Sequence, residues 1–503
     1  MQYLVTAQEM KRYDQNTIEK IGVPGMVLME RAALALRETL MEELGNLSGK
    51  RALIVAGMGN NGGDGLALGR LLQEAGCLVE IFCVGSQEKA SLQWQEQRRI
   101  LENYSVAFVS NPAGREYNII VDALFGVGLD RAVEGVWKEA VKLMNGLSGL
   151  KLAVDMPSGI HSDTGVVLGC AFLADVTVTF GFCKLGLCRY PGREYGGRIK
   201  TADIGINERA FFGEEPMFYA LDEEPAALLP HRRADGNKGT FGKALVIAGS
   251  RNMAGAAVLA ARACCRIGAG MVKVISPEEN RVIIQEALPE ALYGTGEETE
   301  PEFAWADVVA IGPGLSKSHR ARELLRRSVE ETQKPLVIDA DALNLLSEDQ
   351  ELSEELSCQC GKGRVCILTP HVGELARLLA LCMEETPEIR LLKEELPVYA
   401  GLLAERLHCI VAAKDARTFI CAEGHKCCVN LRGNSGMAAA GSGDVLTGVI
   451  AGLLAQGMEP FGAACAGAAL HGCAGDRAAE KHGEHGCMAG DIVEQLGHGG
   501  KLL

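Results

Sequence analysis

A glycine-rich segment after a short apolar run is the first place where the residue types allow chemistry. It follows the spacing G-x-G-x-x-G and adds two amides and a carboxylate: Gly57, Gly59, Asn60, Asn61, Gly62, Gly63 and Asp64. Backbone amides at a helix start can bind a pyrophosphate, so an NAD-dependent oxidoreductase with Glu80 as ribose ligand is one interpretation. It is weakened because Glu80 lies inside its predicted strand. A tight turn without a ligand is the plainer alternative, but this many glycines are costly for a turn.

Two later loops place polar side chains where predicted strands end. Asp122 precedes the turn Phe125-Gly126, and Asp155 precedes Met156-Pro157-Ser158. A single aspartate at a strand end is commonly a helix cap or turn former. Because parallel strands end at one edge of a sheet, Asn61, Asp122, Asp155 and Ser158 are predicted to surround one ligand. Hard oxygen ligands of this kind suit sodium, potassium or magnesium.

A third loop, in the second half of the chain, reads Gly441-Ser442-Gly443-Asp444 and opens the apolar helix predicted over Val445–Ala455. Free amides at that helix start form an anion hole suited to a phosphoryl group, and Asp444 could take the proton of a substrate hydroxyl. The alternative is an N-capping aspartate on a glycine-rich packing helix. The pattern resembles the ribokinase-like fold, in which the corresponding aspartate activates the acceptor hydroxyl.

The elements that position these loops are apolar runs followed by helical patterns. The runs are apolar throughout, as in strands buried on both faces of a parallel sheet. The first series is Ala52–Ala56, Leu78–Val84, Ile119–Leu124, Leu152–Val154 and Val176–Phe180. The second series is Ala244–Ala248, Met271–Ile275, Val308–Ile311, Leu336–Ile338, Val365–Leu368 and Ile410–Ala413. We expect an α/β protein with a domain boundary near residues 215–230.

Helices are also predicted outside the alternating series and between its strands. Thr6–Lys20 and Pro24–Leu44 precede the first strand, and Thr6 with Glu9 fits a capping box. Asp64–Ala75 and Gln93–Asn103 lie between strands of the first series. The ligand site of such a βαβ succession is expected beyond the carboxyl ends of its strands.

Composition excludes several classes of protein. The 503 residues are 48% hydrophobic and 23% charged, which is ordinary for a globular chain of two or three domains. A net charge of −15 makes nucleic acid and anionic membranes poor partners. No secretory signal, membrane span or CxxC pair is visible, so we expect a cytoplasmic protein whose 18 cysteines are reduced. A metal site at His482, His485 and Cys487 lacks a fourth ligand, which favours a surface loop.

Residues 1–215 resemble the epimerase domain of the bifunctional NAD(P)H-hydrate repair enzymes, a Rossmann-like three-layer domain. The motifs are Gly59–Gly65, Val121–Leu129, Asp155–Gly159 and Phe180–Leu187. The resemblance implies interconversion of the R and S epimers at C6 of NADHX and NADPHX. It also implies that Asp155 meets the substrate, where a carboxylate can act as the catalytic general acid/base. Lys184 either orients Asp155 or contacts phosphate, and a surface lysine in a turn is the plainer alternative. The implied potassium ligands are Asn61, Asp122 and Ser158. The implied substrate contacts are Asn60, Asn61, Gly62, Gly63, Asp64, Gly126, Val127, Gly128, Leu129, Asp130, Arg131, Ala132 and Asp155.

Residues 225–503 resemble the ADP- or ATP-dependent dehydratase of the same enzymes, a ribokinase-like three-layer domain. The motifs are Asn237–Gly239, Gly242–Gly249, Gly255–Ala257, Gly268–Gly270, Gly312–Leu315, Asp339–Asn344, Leu368–Glu374 and Gly436–Gly448. The implied contacts to the S-hydrate are Ala256, Gly314, His371 and Asp444. The implied nucleotide contacts are Lys414, Asp415, Ala416, Arg417, Thr418 and Gly443. Relatives usually have glycine where Asp415 stands, and a carboxylate beside phosphates is a like-charge contact.

Together the two resemblances predict repair of hydrated nicotinamide dinucleotides. The first domain supplies the S epimer. The second dehydrates it to NAD(P)H with ADP or ATP, magnesium and a phosphorylated intermediate, in which Asp444 takes the hydroxyl proton. A homo-oligomer is expected, and ADP is the nucleotide that fused bacterial relatives usually use. The alternatives are a vitamin-precursor kinase, an oxidoreductase and a non-catalytic nucleotide-binding scaffold. The intact set Asn61, Asp122 and Asp155 argues against the scaffold.

Overall fold

The computed structural model describes residues 1–104 and 106–497. The chain divides into two compact units between Phe218 and Tyr219. The first unit is Tyr3–Phe218. The second unit contains Met1–Gln2 and the described chain from Tyr219 onward. Both are α/β.

Up to residue 220 the described chain alternates strands and helices. The strands are β1 (Gln2–Val5), β2 (Arg51–Ala56), β3 (Leu78–Cys83), β4 (Ala107–Phe108), β5 (Ile119–Ala123), β6 (Leu150–Val154), β7 (Val176–Phe180), β8 (Cys183–Lys184), β9 (Arg198–Ala202) and β10 (Phe218–Ala220). The helices are α1 (Ala7–Asn16), which continues into a π-helical turn over Thr17–Ile21, α2 (Gly25–Leu44), α3 (Asn60–Glu74), α4 (Leu92–Leu101), α5 (Gly135–Gly146), α6 (Leu185–Cys188) and α7 (Gly192–Tyr195).

The main sheet of the first unit is parallel throughout, in the order β4-β3-β2-β5-β6-β7-β9. From β2 the chain adds β3 and β4 on one side of the sheet and then β5, β6, β7 and β9 on the other. The strand order therefore reverses between β2 and β5. Open α/β sheets bind ligands at such a point, beyond the carboxyl ends of the strands. The loops after Ala56, Ala123 and Val154 therefore converge there. The short strands β1 and β8 are not part of this sheet and pair with each other in parallel, Val5 beside Lys184.

The sheet has a hydrophobic core on each face. Alternate residues of β2, such as Ile54, belong to the core formed with α2 and α3, while Leu53 and Val55 belong to the core on the other face with α5. This three-layer, Rossmann-like arrangement confirms the prediction for the first unit. It also explains why the strands are apolar throughout, because both faces are covered.

The predicted strands of this unit are confirmed to within two residues, and Thr6 and Glu9 form the capping box. Two differences have local causes. Helix α3 begins at Asn60 rather than Asp64, because Gly59 occupies the N-cap position. Strand β9 was not predicted because it is only partly buried and carries arginine and lysine at Arg198 and Lys200.

In the second unit the described strands after β10 are β11 (Lys243–Ile247), β12 (Met271–Ile275), β13 (Leu292–Gly294), β14 (Val308–Ile311), β15 (Leu336–Ile338), β16 (Cys366–Leu368), β17 (Ile410–Ala413), β18 (Thr418–Cys421) and β19 (Cys427–Asn430). The helices are α8 (Ala254–Arg266), α9 (Arg281–Ala287), α10 (Glu300–Trp305), α11 (His319–Glu330), α12 (Ala340–Ser347), α13 (Gln350–Gly361), α14 (Val372–Leu379), α15 (Ile389–Glu394), α16 (Leu396–Leu407), α17 (Ser442–Ala455), α18 (Pro460–His482) and α19 (Ala489–Gln495).

The sheet of the second unit runs in the order β13-β12-β11-β14-β15-β16-β17-β18-β19. It is parallel up to β17, after which β18 and β19 continue it as antiparallel strands. Helices α8, α17 and α18 contribute to the core on one face, and α16 packs on β17 and β18. The arrangement confirms the ribokinase-like α/β prediction. The hairpin β18–β19 was not predicted, since its strands are short and interrupted by polar turns.

Three expectations about ligands and membranes can be compared with the described residues. None of their helices has the length and apolarity needed to cross a lipid bilayer. The 18 cysteines all lie among them and form no disulfide bond. Within these residues no group of three or more His, Cys, Asp and Glu side chains is placed to hold a metal, and His482 instead lies 3.6 Å from the Asp491 carboxylate.

Candidate functional site

A cavity of about 610 Å³ lies at the carboxyl end of the first unit's sheet. Helices α1, α2 and α3 and the loops after β2, β5 and β6 line it. Of the predicted substrate contacts, those in the lining are Asn60, Asn61, Asp64, Gly126, Val127, Gly128, Leu129 and Asp155. Predicted contacts outside this lining are Gly62, Gly63, Asp130, Arg131 and Ala132. Gly62 serves packing, because a Cβ there would lie 2.0 Å from the Gly57 carbonyl oxygen.

Asp122 and Ser158 form a buried pair under the loop between β5 and α5. The Ser158 hydroxyl donates to Asp122 Oδ1 at 2.7 Å, and the Ser158 amide donates to Oδ2 at 2.7 Å. The Phe125 amide donates to Ser158 Oγ at 3.0 Å. Burial raises the pKa of Asp122 to about 6, although the bonds from Ser158 oppose that shift. A carboxylate held in this way is stabilised further by any cation bound beside it.

Asn61 is the third predicted metal ligand, and its side chain lies beside the same loop. A Cβ on Gly126 would lie 3.3 Å from Asn61 Oδ1. The amide nitrogen Nδ2 is buried without a hydrogen-bond partner among the described residues. Buried polar atoms are normally satisfied, so this amide has capacity for a ligand. The structure thus brings Asn61, Asp122 and Ser158 to one loop, with oxygen donors of the type that potassium accepts.

Asp155 lies on the wall of the cavity and is held by a lysine. Lys184 is fully buried and donates from Nζ to Asp155 Oδ1 at 2.5 Å, to Thr179 Oγ1 at 3.1 Å and to the Phe180 carbonyl at 2.9 Å. Thr179 Oγ1 and the Phe180 amide also donate to Oδ1. Among the described residues no donor is bonded to Oδ2. Lys184 therefore orients Asp155, the first of its two proposed roles.

The backbone at Asp155 is unusual for a residue with a side chain. Its φ is 66°, in the left-handed region, and its amide donates to the Val178 carbonyl at 2.8 Å. Such conformations cost free energy and concentrate at functional sites. The strain places the carboxylate in the cavity while keeping the backbone bonded to β7.

Two further carboxylates, Asp14 of α1 and Asp64 of α3, line the cavity with Asp155. Burial raises the pKa of Asp14 and raises that of Asp64 well above its usual value, and the charge of Asp155 adds to both shifts. Asp14 was missed in the sequence. It lies one turn after Met10, a buried residue of the amphipathic helix α1, so helical periodicity could have found it.

Two lysines, Lys11 and Lys89, also belong to the lining. The Lys11 ammonium lies 3.9 Å from the position of a Cβ on Gly128. The cavity thus combines carboxylates with separate cationic side chains, a distribution suited to a ligand with a cationic end and an anionic end. Glu80 is not in the lining. It accepts from Arg51 and from the Tyr117 hydroxyl and pairs with Arg115, which removes support for its role as ribose ligand.

In the second unit Asp444 lies in the first turn of α17. Gly441, with φ 92°, provides the left-handed N-cap, and the first helical bond runs from the Val445 amide to its carbonyl at 3.1 Å. The amides of Gly443 and Asp444 therefore precede the helical ladder. Burial raises the pKa of Asp444 to about 7, with a contribution from the charge of Asp339. Free amides beside a carboxylate of raised pKa are the groups that phosphate binding and general-base chemistry require.

Lys414 faces the same helix start. Its ammonium donates to Asp339 Oδ1 at 2.7 Å, and the Thr447 hydroxyl of α17 donates to Oδ2 at 2.7 Å. A Cβ on Gly443 would lie 3.3 Å from Lys414 Nζ. Two predicted nucleotide contacts, Lys414 and Gly443, are thus neighbours. Asp339 and Thr447 were not assigned a function from the sequence.

The other predicted nucleotide contacts, residues 415–418, have surroundings that differ from those of Lys414. Asp415 is exposed, and its carboxylate lies 3.8 Å from the Lys393 ammonium. Ala416 is exposed, and Thr418 begins β18. Arg417 is buried and donates to the Leu431 carbonyl at 2.7 Å. Lys414 is therefore the member of this segment placed against α17.

His371 lies next to Lys414, whose amide donates to the Pro370 carbonyl at 2.7 Å. The His371 Nδ1 accepts from the amides of Gly373 and Glu374, so the imidazole ring caps α14. Burial and the charge of Lys414 lower its pKa. The imidazole remains more than half exposed, and its Nε2 lies 3.4 Å from Glu374 Oε1.

Ala256 and Gly314, the other predicted contacts of the hydrate, are also adjacent. A Cβ on Gly314 would lie 2.8 Å from the Ala256 Cβ, and Gly314 has φ 58°. The turn is held from the first turn of α12 by Asp341, whose Oδ2 accepts the Ser316 amide at 2.7 Å. The structure thus brings these two residues together, and their contact is so close that a larger side chain at either position would not fit.

Comparison with known proteins identifies both units. Residues 25–186 match the family described as YjeF-related protein N-terminus, and residues 244–497 match NAD(P)H-hydrate dehydratase. The bifunctional NAD(P)H-hydrate repair enzyme Nnr of Moorella thermoacetica is 36% identical over 98% of this chain and 96% of its own length. The Escherichia coli enzyme of the same name is 32% identical over 97% and 92%.

A solved structure is similar to the second unit. It is the ADP/ATP-dependent NAD(P)H-hydrate dehydratase from Bacillus subtilis, co-crystallised with ATP and Mg²⁺. It is 28% identical and covers 55% of this chain and 94% of its own, with a TM-score of 0.46. The full-length relatives match the chain almost from end to end. The chain therefore belongs to the family of bifunctional NAD(P)H-hydrate repair enzymes.

Proposed function

We propose that this chain repairs NADHX and NADPHX by two reactions in succession. The domain at residues 1–215 interconverts the R and S epimers, and the domain at residues 225–503 dehydrates the S epimer with ADP or ATP. One observation carries the proposal. This member of the family has both Asp155 in a ligand-sized cavity and Asp444 at a helix start with free amides. Each unit has its own acid/base group.

Epimerisation at C6 requires that the hydroxyl leaves from one face and returns to the other. Asp155 donates a proton to the departing oxygen, which leaves as water with the C–O bond electrons, while the ring nitrogen lone pair forms a C=N bond. The resulting ring is cationic. Asp14 and Asp155 supply carboxylates to stabilise it, and Lys184 holds Asp155 in place. Water then attacks the opposite face of the ring and releases its proton to solvent, from which Asp155 is reprotonated.

Potassium is proposed at Asn61, Asp122 and Ser158. Support comes from the oxygen atoms that the three side chains bring to one loop. A bound monovalent cation supplies positive charge that stabilises the loop over residues 124–129 at the cavity wall. The proposed phosphate contacts are the amides at the start of α3, from Asn60 to Gly62, and those of this loop.

Dehydration requires a better leaving group than hydroxide. Asp444 accepts the C6 hydroxyl proton as the oxygen attacks the terminal phosphorus, and the nucleotide leaves one phosphate shorter. The phosphate ester then departs from C6 with its bond electrons, a proton is lost from C5, and the C5=C6 double bond of NAD(P)H is restored. Lys414 and the amides of Gly443 and Asp444 bind the transferring group. Magnesium, brought with the nucleotide, neutralises phosphate charge.

A homo-oligomer in the cytoplasm, where the pyridine and adenine nucleotides are present, belongs to the same proposal. Support for self-association comes from large apolar side chains exposed around the edge strand β13, namely Val282, Ile283 and Leu292. Light scattering on the purified full chain tests the oligomeric state. A monomer at micromolar concentration would contradict it.

Absorbance at 340 nm tests the two activities in one assay. The purified chain is given a mixture of R- and S-NADHX, potassium and magnesium, with ADP or ATP added separately. Full recovery of NADH supports both activities and identifies the nucleotide. Recovery of the S fraction alone contradicts the epimerase assignment. Absence of recovery contradicts the dehydratase assignment, and a stable phosphorylated product would indicate a kinase instead.

A further inference from the structure

Asp339 occupies a helix N-cap position but does not cap its helix. It follows β15 and precedes α12, where an aspartate normally accepts from the first-turn amides. Its side chain makes no such bond and is only 1% exposed. The next residue, Ala340, has φ 50°, a left-handed conformation that costs free energy for a side-chain-bearing residue. The carboxylate is therefore directed to partners outside its own helix.

Those partners come from two other elements. Lys414, directly after β17, donates to Oδ1, and Thr447, in the second turn of α17, donates to Oδ2, both at 2.7 Å. Thr447 Oγ1 also lies 3.2 Å from the Gly443 carbonyl. Asp339 thus connects the end of β17 to the helix that carries Asp444.

The ion pair lies against the first turn of α17. A Cβ on Gly443 would meet Lys414 Nζ at 3.3 Å and Asp339 Oδ2 at 3.8 Å. An ammonium has three N–H groups, and one bonds to Asp339. Because the ammonium lies against Gly443, an anionic oxygen bound at this helix start would receive its remaining N–H groups together with the free amides of Gly443 and Asp444.

Stabilisation of the fold alone does not explain the buried Asp339–Lys414 ion pair. Burying a carboxylate and an ammonium costs more free energy than burying apolar side chains of the same volume. The Lys414 side chain is 20% exposed, so the pair reaches the surface of the proposed site. Its two charges also act in opposite directions on Asp444, whose pKa is raised by Asp339 and lowered by Lys414.

We propose that Asp339 is a positioning residue for phosphoryl transfer: it holds the Lys414 ammonium beside the amides of Gly443 and Asp444, so that the terminal phosphate of the nucleotide is bound by all three. The inference rests on the proposed dehydration for its chemistry. It assigns Asp339 no contact with either substrate. Thr447 fixes the rotation of the carboxylate by occupying its second oxygen.

The test is a double-mutant cycle on the full chain, with Asp339→Asn, Lys414→Met and the double variant. Asp339→Asn keeps the size of the side chain and removes its charge. We expect kcat for S-NADHX dehydration to fall roughly 10- to 100-fold, as for other groups that orient a ligand-binding residue. The KM for the nucleotide should rise while the KM for S-NADHX changes little. If Asp339 acts through Lys414, the double variant is no slower than Lys414→Met alone.

Asp307→Asn is the matched control, because its carboxylate accepts the Lys243 amide at 3.0 Å at the amino end of β14, the opposite end of the sheet from Gly443 and Asp444. It should keep wild-type kinetics. If Asp339→Asn does not fold by circular dichroism, Thr447→Val replaces it, with an expected loss of about 3- to 10-fold in kcat from one missing hydrogen bond. Wild-type kinetics in the folded variant, or effects that multiply in the double variant, would overturn the proposal.

The pH profile separates positioning from a structural role. Removing the negative charge of Asp339 should move the acid limb of kcat to lower pH, because Asp444 then loses its proton more easily. A structural defect would lower kcat without moving the limb. If the wild type regenerates no NADH, the proposed function fails instead. Calorimetric binding of the nucleotide then tests the inference alone, with equal loss of affinity expected in Asp339→Asn and Lys414→Met.

Discussion

Lys184 and Asp155 are joined by an ion pair of 2.5 Å, and the lysine has no exposed surface. The two residues lie 29 positions apart: Lys184 is the last residue of β8, and Asp155 directly follows β6. The pairing of β8 with β1 places Lys184 beside Val5. The acid/base group of the first unit is thus oriented by a contact between strand ends.

Asp155→Ala should block use of the R epimer and spare the S epimer, because the two proton-transfer groups belong to different units. General acid–base groups contribute about 100- to 10,000-fold, so R-NADHX consumption should approach its spontaneous rate. The measurement is NADH formation from pure R- and pure S-NADHX with the nucleotide. Continued rapid consumption of the R epimer would show that Asp155 is wrongly assigned.

Lys184→Met should also slow epimerisation, by roughly 10- to 100-fold, since Asp155 keeps its carboxylate but loses the group that orients it. The methionine retains apolar contacts of the buried side chain. Lys142→Met is the control, because Lys142 is exposed and pairs with Glu139 on the same helix. A loss equal to that of Asp155→Ala would assign Lys184 to the chemical step itself.

Asp444 links activity to pH, since burial raises its pKa to about 7. The base must be ionised, so kcat for dehydration should fall as the pH falls through about 7. Asp444→Asn should abolish dehydration and leave epimerisation intact. Equal loss of both activities in a folded variant would contradict the separation of the two sites.

The same variant has an opposite effect on stability. Between about pH 4 and pH 7 the folded chain holds a proton on Asp444 that the unfolded chain has lost, so this group destabilises the fold as the pH rises. Asp444→Asn removes that cost. Its melting temperature should therefore exceed that of the wild type at pH 8 and match it near pH 4. A variant less stable at pH 8 would show that Asp444 has a stabilising partner.

Potassium should stabilise the first unit through Asn61, Asp122 and Ser158. Exchanging tetramethylammonium for potassium is expected to raise the first melting transition by about 2–4 °C, corresponding to about 1 kcal/mol for a unit of this size. Ser158→Ala should remove this difference, whereas Ser48→Ala, at an exposed turn, should keep it. An equal shift with every monovalent cation would indicate ionic strength rather than a site.

The sequence predicted that Asp122 and Ser158 meet because this contact depends only on parallel strands ending at one edge. It predicted Asp444 because a helix start is visible locally. It left open whether Lys184 orients Asp155 or contacts phosphate, and it did not predict Asp339 as the partner of Lys414. Those contacts join residues 29 and 75 positions apart, and their formation depends on turn geometry that no periodic pattern records.

Asp415 departs from the glycine usual in relatives, but its carboxylate lies on the exposed side of the loop, near Lys393. Exposed ion pairs contribute about 1 kcal/mol or less, so Asp415→Gly should change the nucleotide KM by less than about fivefold. Lys393→Met removes the positive charge beside the Asp415 carboxylate and should raise the nucleotide KM. This increase should exceed the decrease caused by Asp415→Gly. The measurement is the nucleotide KM at saturating S-NADHX for the three proteins. If Asp415→Gly lowers the nucleotide KM by more than about tenfold, the effect is too large for a screened surface charge. The Asp415 carboxylate would then lie against the phosphates.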